Sequence, residues 1–285
     1  MFKCGIDIGG TNIKIAFFEE DKEQFIQIKT PKEMDEFIPL IKKTILKYHS
    51  LNEIIGYVVS IPGVVENGVV VYAPNTNILG LNIESNIKKQ LQNNNVIIEN
   101  DANIQAMTES RITGLNDLIL LTIGTGLGGG IIIDGKLLNK NGYAGEVGHI
   151  KVHFGKNSRR CGCGKLGCVE AYVSARAIVK DYNDTKNVSI NSKNLIDLAK
   201  KGDKLALKCI ADCARYLSVA IADIVSVTGI KNIRIAGGLS NAGDYFIRFV
   251  RKYYPNYSVL NMEQVSIEAA TYRSKTGSYA AKYIL

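Results

Sequence analysis

One pattern occurs twice in this chain, and it restricts the fold more than any other feature. When CGIDIGGTNIKIAFF (residues 4–18) is laid over ILLTIGTGLGGGIII (residues 119–133), Asp7 falls opposite Thr122 and Gly9 opposite Gly124. Each segment runs an apolar strand into a glycine and threonine tip and leaves along a second strand, the pattern of a hairpin. Repetition of a whole supersecondary unit predicts two lobes of related topology, each with a glycine-rich hairpin. The rest of the chain alternates strand and helix patterns and predicts an α/β fold. In the first half, strands are expected near Phe25–Ile28, over Ile54–Ile61 and at 95–98. Helices are expected over Met34–Tyr48, where Phe37, Ile38, Ile41, Ile45 and Tyr48 recur at helical spacing, and at 83–92 and 101–112. TGLND (113–117) marks a boundary. Beyond it come a long helix over Asp203–Val227, a strand at Ile233–Ala236 and two further helices. The expected division is a small lobe of residues 1–114, a large lobe of 115–271 and a terminal helix in 272–285 that packs back on the small lobe.

Composition excludes several classes. With 46% hydrophobic residues among 285, the chain can fill a core without disulfides. The net charge of +8 comes mostly from lysines scattered singly or in pairs among acidic residues, with no arginine stripe, so no nucleic-acid partner is expected. No apolar run approaches the ~20 residues of a membrane span. The opening MFKCGIDIGG carries no leader signal, so the expected compartment is the cytoplasm, where thiols stay reduced.

The hairpin tips suggest anion chemistry. In DIGGT, glycines leave backbone N–H groups open to phosphate oxygens; Gly9, Gly10 and Thr11 form the tip, with Lys14 adding charge and Asp7 placed to hold a hydrated Mg²⁺. GGT alone is equally the tip of an ordinary hairpin. The second tip, GTGLGGG, offers Gly124, Thr125, Gly126 and Gly128, but lies between strands and lacks a P-loop's Lys-Ser/Thr ending. Two hairpins closing on phosphates from opposite lobes is the actin-like ATPase arrangement, and it implies ATP. IIENDAN (97–103) ends a strand with Asn100 and Asp101 just before a helix. Asp101 there is either a helix cap or a base that takes an alcohol's proton during phosphoryl transfer.

Three of the six cysteines lie in CGCGKLGC (161–168). With His149 they supply one nitrogen and three sulfurs, a complete tetrahedral set for structural Zn²⁺; redox or core thiols are the alternatives. Cys4 lies on a core strand, and Cys209 and Cys213 share a helix face with Leu205, Leu217 and Ile221, so these three read as small hydrophobes.

DIGGTNIKIA, IPGVV (61–65), APN (73–75), ENDAN, IGTGLGGGI, GEVGHI (145–150), CGCGKLGCVEAY (161–172) and IAGGLS (235–240) come in the order and spacing of the ROK family of bacterial sugar kinases, which the chain resembles over nearly its whole length. The resemblance implies an actin-like ATPase (ribonuclease H-like) fold with two lobes around a central cleft. It implies ATP-dependent phosphorylation of a hexose, expected at the 6-hydroxyl, with glucose first and N-acetylmannosamine or a β-glucoside as alternatives. By the same resemblance Asp101 is the catalytic base, and Asn100, Glu146, His149 and Glu170 hold sugar hydroxyls, with Gly63 and Asn75 beside the sugar. Gly237 and Gly238 join the nucleotide site, and His149, Cys161, Cys163 and Cys168 bind zinc. A homodimer is also implied. Repressors of the family carry a winged helix-turn-helix before the kinase-like body; a hairpin starting at residue 4 leaves no room for one, so a non-catalytic sugar sensor is the lesser expectation. Neither hairpin is expected to touch the cysteine loop, and a bulky residue at Gly10 or Gly126 should raise the KM for ATP far more than that for sugar, because it blocks the backbone's approach to phosphate.

Overall fold

The computed structural model describes residues 1–73, 77–139, 142–238, 244–259, 264–272 and 277–285. The first hairpin is β1 (Phe2–Ile8) and β2 (Asn12–Glu19), antiparallel, with Asp7 opposite Lys14. One face of it buries Cys4, Ile6, Ile8, Ile13, Ile15 and Phe17 completely, and Ala16 and Phe18 are buried on the other. β3 (Lys22–Lys29) pairs outside β2. α1 (Phe37–Ile45) follows and buries Phe37, Ile38, Ile41 and Ile45. The helix stops before Tyr48, which is exposed; the chain turns there, and His49 packs its ring on Phe2 and Phe17, with centroids 4.0 and 4.5 Å apart.

β4 (Ile54–Ile61) lies parallel to β1 and is buried along nearly its whole length, as a central parallel strand should be. β5 (Val64–Glu66) and β6 (Val69–Tyr72) form a small ribbon, and α2 (Ile83–Leu91) starts at an Asn82 cap. β7 (Val96–Asn100), parallel to β4, leads straight into α3 (Asp101–Thr113).

The second half repeats the plan with β8 (Leu118–Ile123), β9 (Leu127–Ile133) and β10 (Lys136–Leu137). α4 (Glu170–Val173), α5 (Ala175–Lys186) and α6 (Ser192–Lys200) precede the long α7 (Lys204–Thr228), capped by Asp203 and ended by a left-handed Gly229. β11 (Asn232–Ala236), α8 (Asp244–Tyr253), β12 (Ser266–Ala269) and α9 (Ala281–Ile284) complete it.

The sheets run β3-β2-β1-β4-β7 and β10-β9-β8-β11-β12. In each, two antiparallel pairings are followed by two parallel ones, so the repeat read at the hairpins extends through both sheets. The chain forms two compact units: Met1–Ile112 with Asn139–Ala144 and Lys275–Leu285, and Thr113–Leu138 with Gly145–Ser274. Within the first, Ala280 and Ala281 pack on Ala16, Phe18, Val58 and Ile104. Cys4, Cys209 and Cys213 are buried apolar filling. No helix among the described residues is long and apolar enough to cross a membrane.

Candidate active site

In the first unit, the tip after β1 is anchored from behind. Gly9 donates its N–H to Asn12 O at 3.0 Å, while Thr30 donates its hydroxyl to Gly9 O at 2.6 Å and its N–H to Thr11 O at 3.1 Å. Gly10 and Thr11 are left exposed. Asp7 lies behind the tip with Lys14 Nζ 3.6 Å away. Burial raises the Asp7 carboxyl above its ordinary value, against the nearby Lys14 charge.

At the end of β7 the two candidate residues divide their tasks. Asn100 caps α3: its Oδ1 accepts from Ala102 N at 2.8 Å and Asn103 N at 3.4 Å, and its Nδ2 donates to Gly63 O at 2.7 Å. The peptide at Gly63, in a left-handed conformation at φ +115°, is thereby tied to the helix start. Asp101 is the first helical residue, exposed, with Oδ1 accepting from Ala102 N at 2.8 Å. Asn75 lies outside the described residues.

In the second unit, backbone pairing shapes the cysteine loop. Cys161 N donates to Lys165 O, Gly164 N to Cys161 O, Val152 N to Gly167 O and Val169 N to Ile150 O, all at 2.8–2.9 Å. The donor atoms of His149, Cys161, Cys163 and Cys168 lie within 4.8 Å of one another. Cys163 Sγ and Cys168 Sγ are 3.7 Å apart, and Cys161 Sγ is 3.8 Å from His149 Nδ1. A tetrahedron built on Zn–S bonds of about 2.3 Å has edges of about 3.8 Å, so the donors fit a zinc ion. Lys151 donates to Cys168 Sγ at 2.8 Å, placing a cation beside a donor set that would carry net negative charge with the metal.

His149 connects this cluster to the polar candidates. While Nδ1 faces Cys161, Nε2 faces Glu146 Oε2 at 3.7 Å. Partial burial raises the Glu146 carboxyl above its ordinary value; His149 pulls it down and the Glu170 charge pushes it up. Glu170, at the start of α4, accepts from Cys161 Sγ at 3.2 Å on one oxygen and from Leu127 N at 3.1 Å on the other.

That last bond corrects the expected independence of hairpin and cysteine loop. Leu127 begins β9 directly after the second tip, and a Cβ on Gly126 would lie 2.5 Å from Glu170 Oε2. A side chain at Gly126 therefore disturbs Glu170 as well as any phosphate. Gly124, whose Cβ would meet nothing within 4 Å, is the cleaner probe of this tip. Thr125 is exposed, and Gly128 pairs with Thr122 across the hairpin. Gly237, at φ +93°, packs on the Ile123 backbone at the root of the hairpin, with Gly238 following. A pocket of about 640 Å³ opens between α5 and the cysteine loop, lined by Thr125 and Glu170 and by the cations Arg160, Arg176 and Lys180.

The sequence reading passed over Glu99, Asn103, Asn139 and Lys151. A lone carboxylate in the apolar strand VIIEN was a usable signal for Glu99. Lys151 gave none, because its contact depends on the isolated pairing of residue 151 with Cys168.

Two sheets of one topology, each with a glycine-tipped hairpin, define the actin-like ATPase fold. Residues 3–285 match the model described as the ROK family, and the chain belongs to that family. It is 30% identical to a glucokinase of Halalkalibacterium halodurans, covering 90% of this chain and 86% of that protein. It is also 30% identical to an N-acetylmannosamine kinase of Escherichia coli, covering 99% and 97%. A xylose repressor of Caldicellulosiruptor bescii is 32% identical over 85% of this chain and 62% of its own length. A ROK family glucokinase from Streptomyces griseus, solved with glucose and AMPPNP, superposes with a TM-score of 0.79 at 27% identity, covering 99% of this chain and 98% of that one.

Proposed function

We propose that this protein transfers the γ-phosphoryl group of ATP to a sugar hydroxyl, the 6-hydroxyl of a hexose, with glucose as first substrate. The observation that carries the reading is the exposed Asp101 carboxylate at the mouth of β7, where Asn100 already caps the helix. The kinases among the relatives, and the AMPPNP-bound neighbour, support the same reaction class.

In this reading the hairpin amides of Gly10, Thr11, Thr125 and Gly126 bind phosphate oxygens, since Gly9 and Gly124 spend theirs within the hairpins, and Lys14 adds positive charge. Thr125 lines the pocket beside it, where Arg160, Arg176 and Lys180 stand with Glu170 and Asp184. Asp7 would hold a hydrated Mg²⁺, which when bound neutralises charge on the phosphates. Glu146, His149 and Glu170 orient the sugar. The sugar oxygen attacks the γ-phosphorus, the bond from that phosphorus to the β,γ-bridging oxygen breaks, and Asp101 takes the hydroxyl proton as ADP leaves. His149, Cys161, Cys163 and Cys168 would hold a structural zinc that keeps the sugar-orienting side chains in place.

N-acetylmannosamine is the alternative substrate supported by the Escherichia coli relative, and a β-glucoside is a third. The xylose repressor favours a sugar-sensing role, which needs neither Asp101 nor two phosphate hairpins. A coupled assay with ATP and glucose, mannose, N-acetylmannosamine, N-acetylglucosamine, fructose or cellobiose separates these. Turnover on the order of 1 s⁻¹ or faster with at least one sugar is expected. Sugar binding without turnover on any would establish the sensor instead.

A further inference from the structure

The β7 carboxylate that the reaction above leaves unused, Glu99, joins two pieces of the first unit. Its Oε2 accepts from Asn103 Nδ2 at 3.1 Å and its Oε1 from Asn139 Nδ2 at 2.6 Å. Asn103 is almost wholly buried in the first turn of α3, two residues after Asp101. Asn139 opens the segment Asn139–Ala144, which groups with the first unit while the chain on either side groups with the second. Asn139 Oδ1 in turn accepts from Gly142 N at 2.8 Å. The segment ends immediately before Gly145 and Glu146.

A carboxylate accepts and cannot donate, so it fixes the orientation of both amides. Asn103 must turn its NH₂ toward β7, which holds the first turn of α3. Asn139 must do the same, which aims its oxygen at the Gly142 N–H. Charged acceptors make the stronger hydrogen bonds, and a partly buried one would be costly to leave unpaired.

We propose that Glu99 is a positioning residue for phosphoryl transfer. Through Asn103 it holds the helix turn that carries Asp101, and through Asn139 it holds the acceptor of the Gly142 N–H. The inference rests on the kinase reading above.

Donor and acceptor polarity supplies the test. Glu99→Gln preserves shape, but if its carbonyl serves Asn103, its NH₂ meets the Asn139 NH₂. Flipping Asn139 only transfers the conflict to the Gly142 N–H, and flipping Asn103 to accept from the new NH₂ turns its own NH₂ into the buried place where its oxygen has no partner. Asn139→Asp alone sets two carboxylates side by side. Combined, the new amide donates to the new carboxylate, which still accepts from Gly142. On the sugar that the wild type phosphorylates best, each single variant should lose about tenfold or more in kcat, with the KM for ATP within about twofold. The double variant should recover kcat to within about threefold of wild type. A merely structural role would lower the thermal midpoint of the singles without this reciprocal rescue of kcat. If a single variant fails to fold, the double decides: folded and active supports the role, folded and slow overturns it. Glu99→Gln with kcat within about twofold of wild type, or a double no better than the slower single, also overturns it. A wild type that turns over none of the sugars strikes the kinase reading itself, a separate and recognisable outcome.

Discussion

In the first sheet, β1 carries Asp7 next to its end and β7 leads directly into Asp101; at the matching places in the second sheet stand Thr122 and the wholly buried Ala270. Strand order and direction are the same in both. What differs is the source of polar function. The first sheet places carboxylates at its own strand ends. At those two positions the second has none, its strand-end Glu268 being paired with Arg234 at 3.3 Å, and its hairpin is held by Glu170, delivered from beyond the cysteine loop to Leu127 N. Duplicated topology therefore repeats the glycine-tipped hairpin, while single side chains distinguish one unit from the other.

The comparison breaks most visibly if the first sheet is made as neutral as the second. Asp101→Asn should lower kcat by about 10² to 10⁴, about 3 to 5 kcal/mol in the barrier. Folding should hold, since the new side chain still offers an oxygen to Ala102 N, and calorimetry should show sugar binding retained. Retention of more than about a tenth of the wild-type kcat would reduce Asp101 to a helix-turn acceptor.

A smaller effect is expected from loosening the second unit. Wild-type protein should contain about one zinc per chain by elemental analysis, and Cys163→Ser should lower that content and raise the sugar KM about tenfold. Because Glu170 follows Cys168 by two residues and accepts from Leu127 N of the second hairpin, the KM for ATP should follow by a smaller factor. A metal-free protein with unchanged sugar KM would leave the cysteines as core thiols.

Much of the molecule was legible from sequence wherever function depends on local backbone. Hairpin tips need glycine, and strand and helix patterns repeat over a few residues; hence β1–β2, β8–β9, α3 and α7 lie close to where their patterns put them. The zinc-binding pattern of His149, Cys161, Cys163 and Cys168, the knot, was legible because zinc chemistry demands particular residue types. Contacts made by common polar side chains across long separations were not. Glu99 reaches Asn139 and Glu170 reaches Leu127, forty or more positions away in sequence, and no spacing rule announces either. The end of α1 was misplaced for a related reason: the helical stripe extends to Tyr48, but tertiary packing uses the His49 ring instead.

The claim that the knot, the sugar-holding carboxylate and the second phosphate hairpin work as one part turns on Glu170. Glu170→Ala leaves all four zinc donors in place and removes only the link. Its decisive measurement is the KM for ATP in protein confirmed to hold about one zinc per chain. A rise of about threefold or more alongside the loss of sugar affinity is the expected result, matching the loss of a charge-assisted hydrogen bond to the hairpin. A sugar KM raised by itself, with the KM for ATP unchanged, would contradict it and return the two sites of this unit to independence.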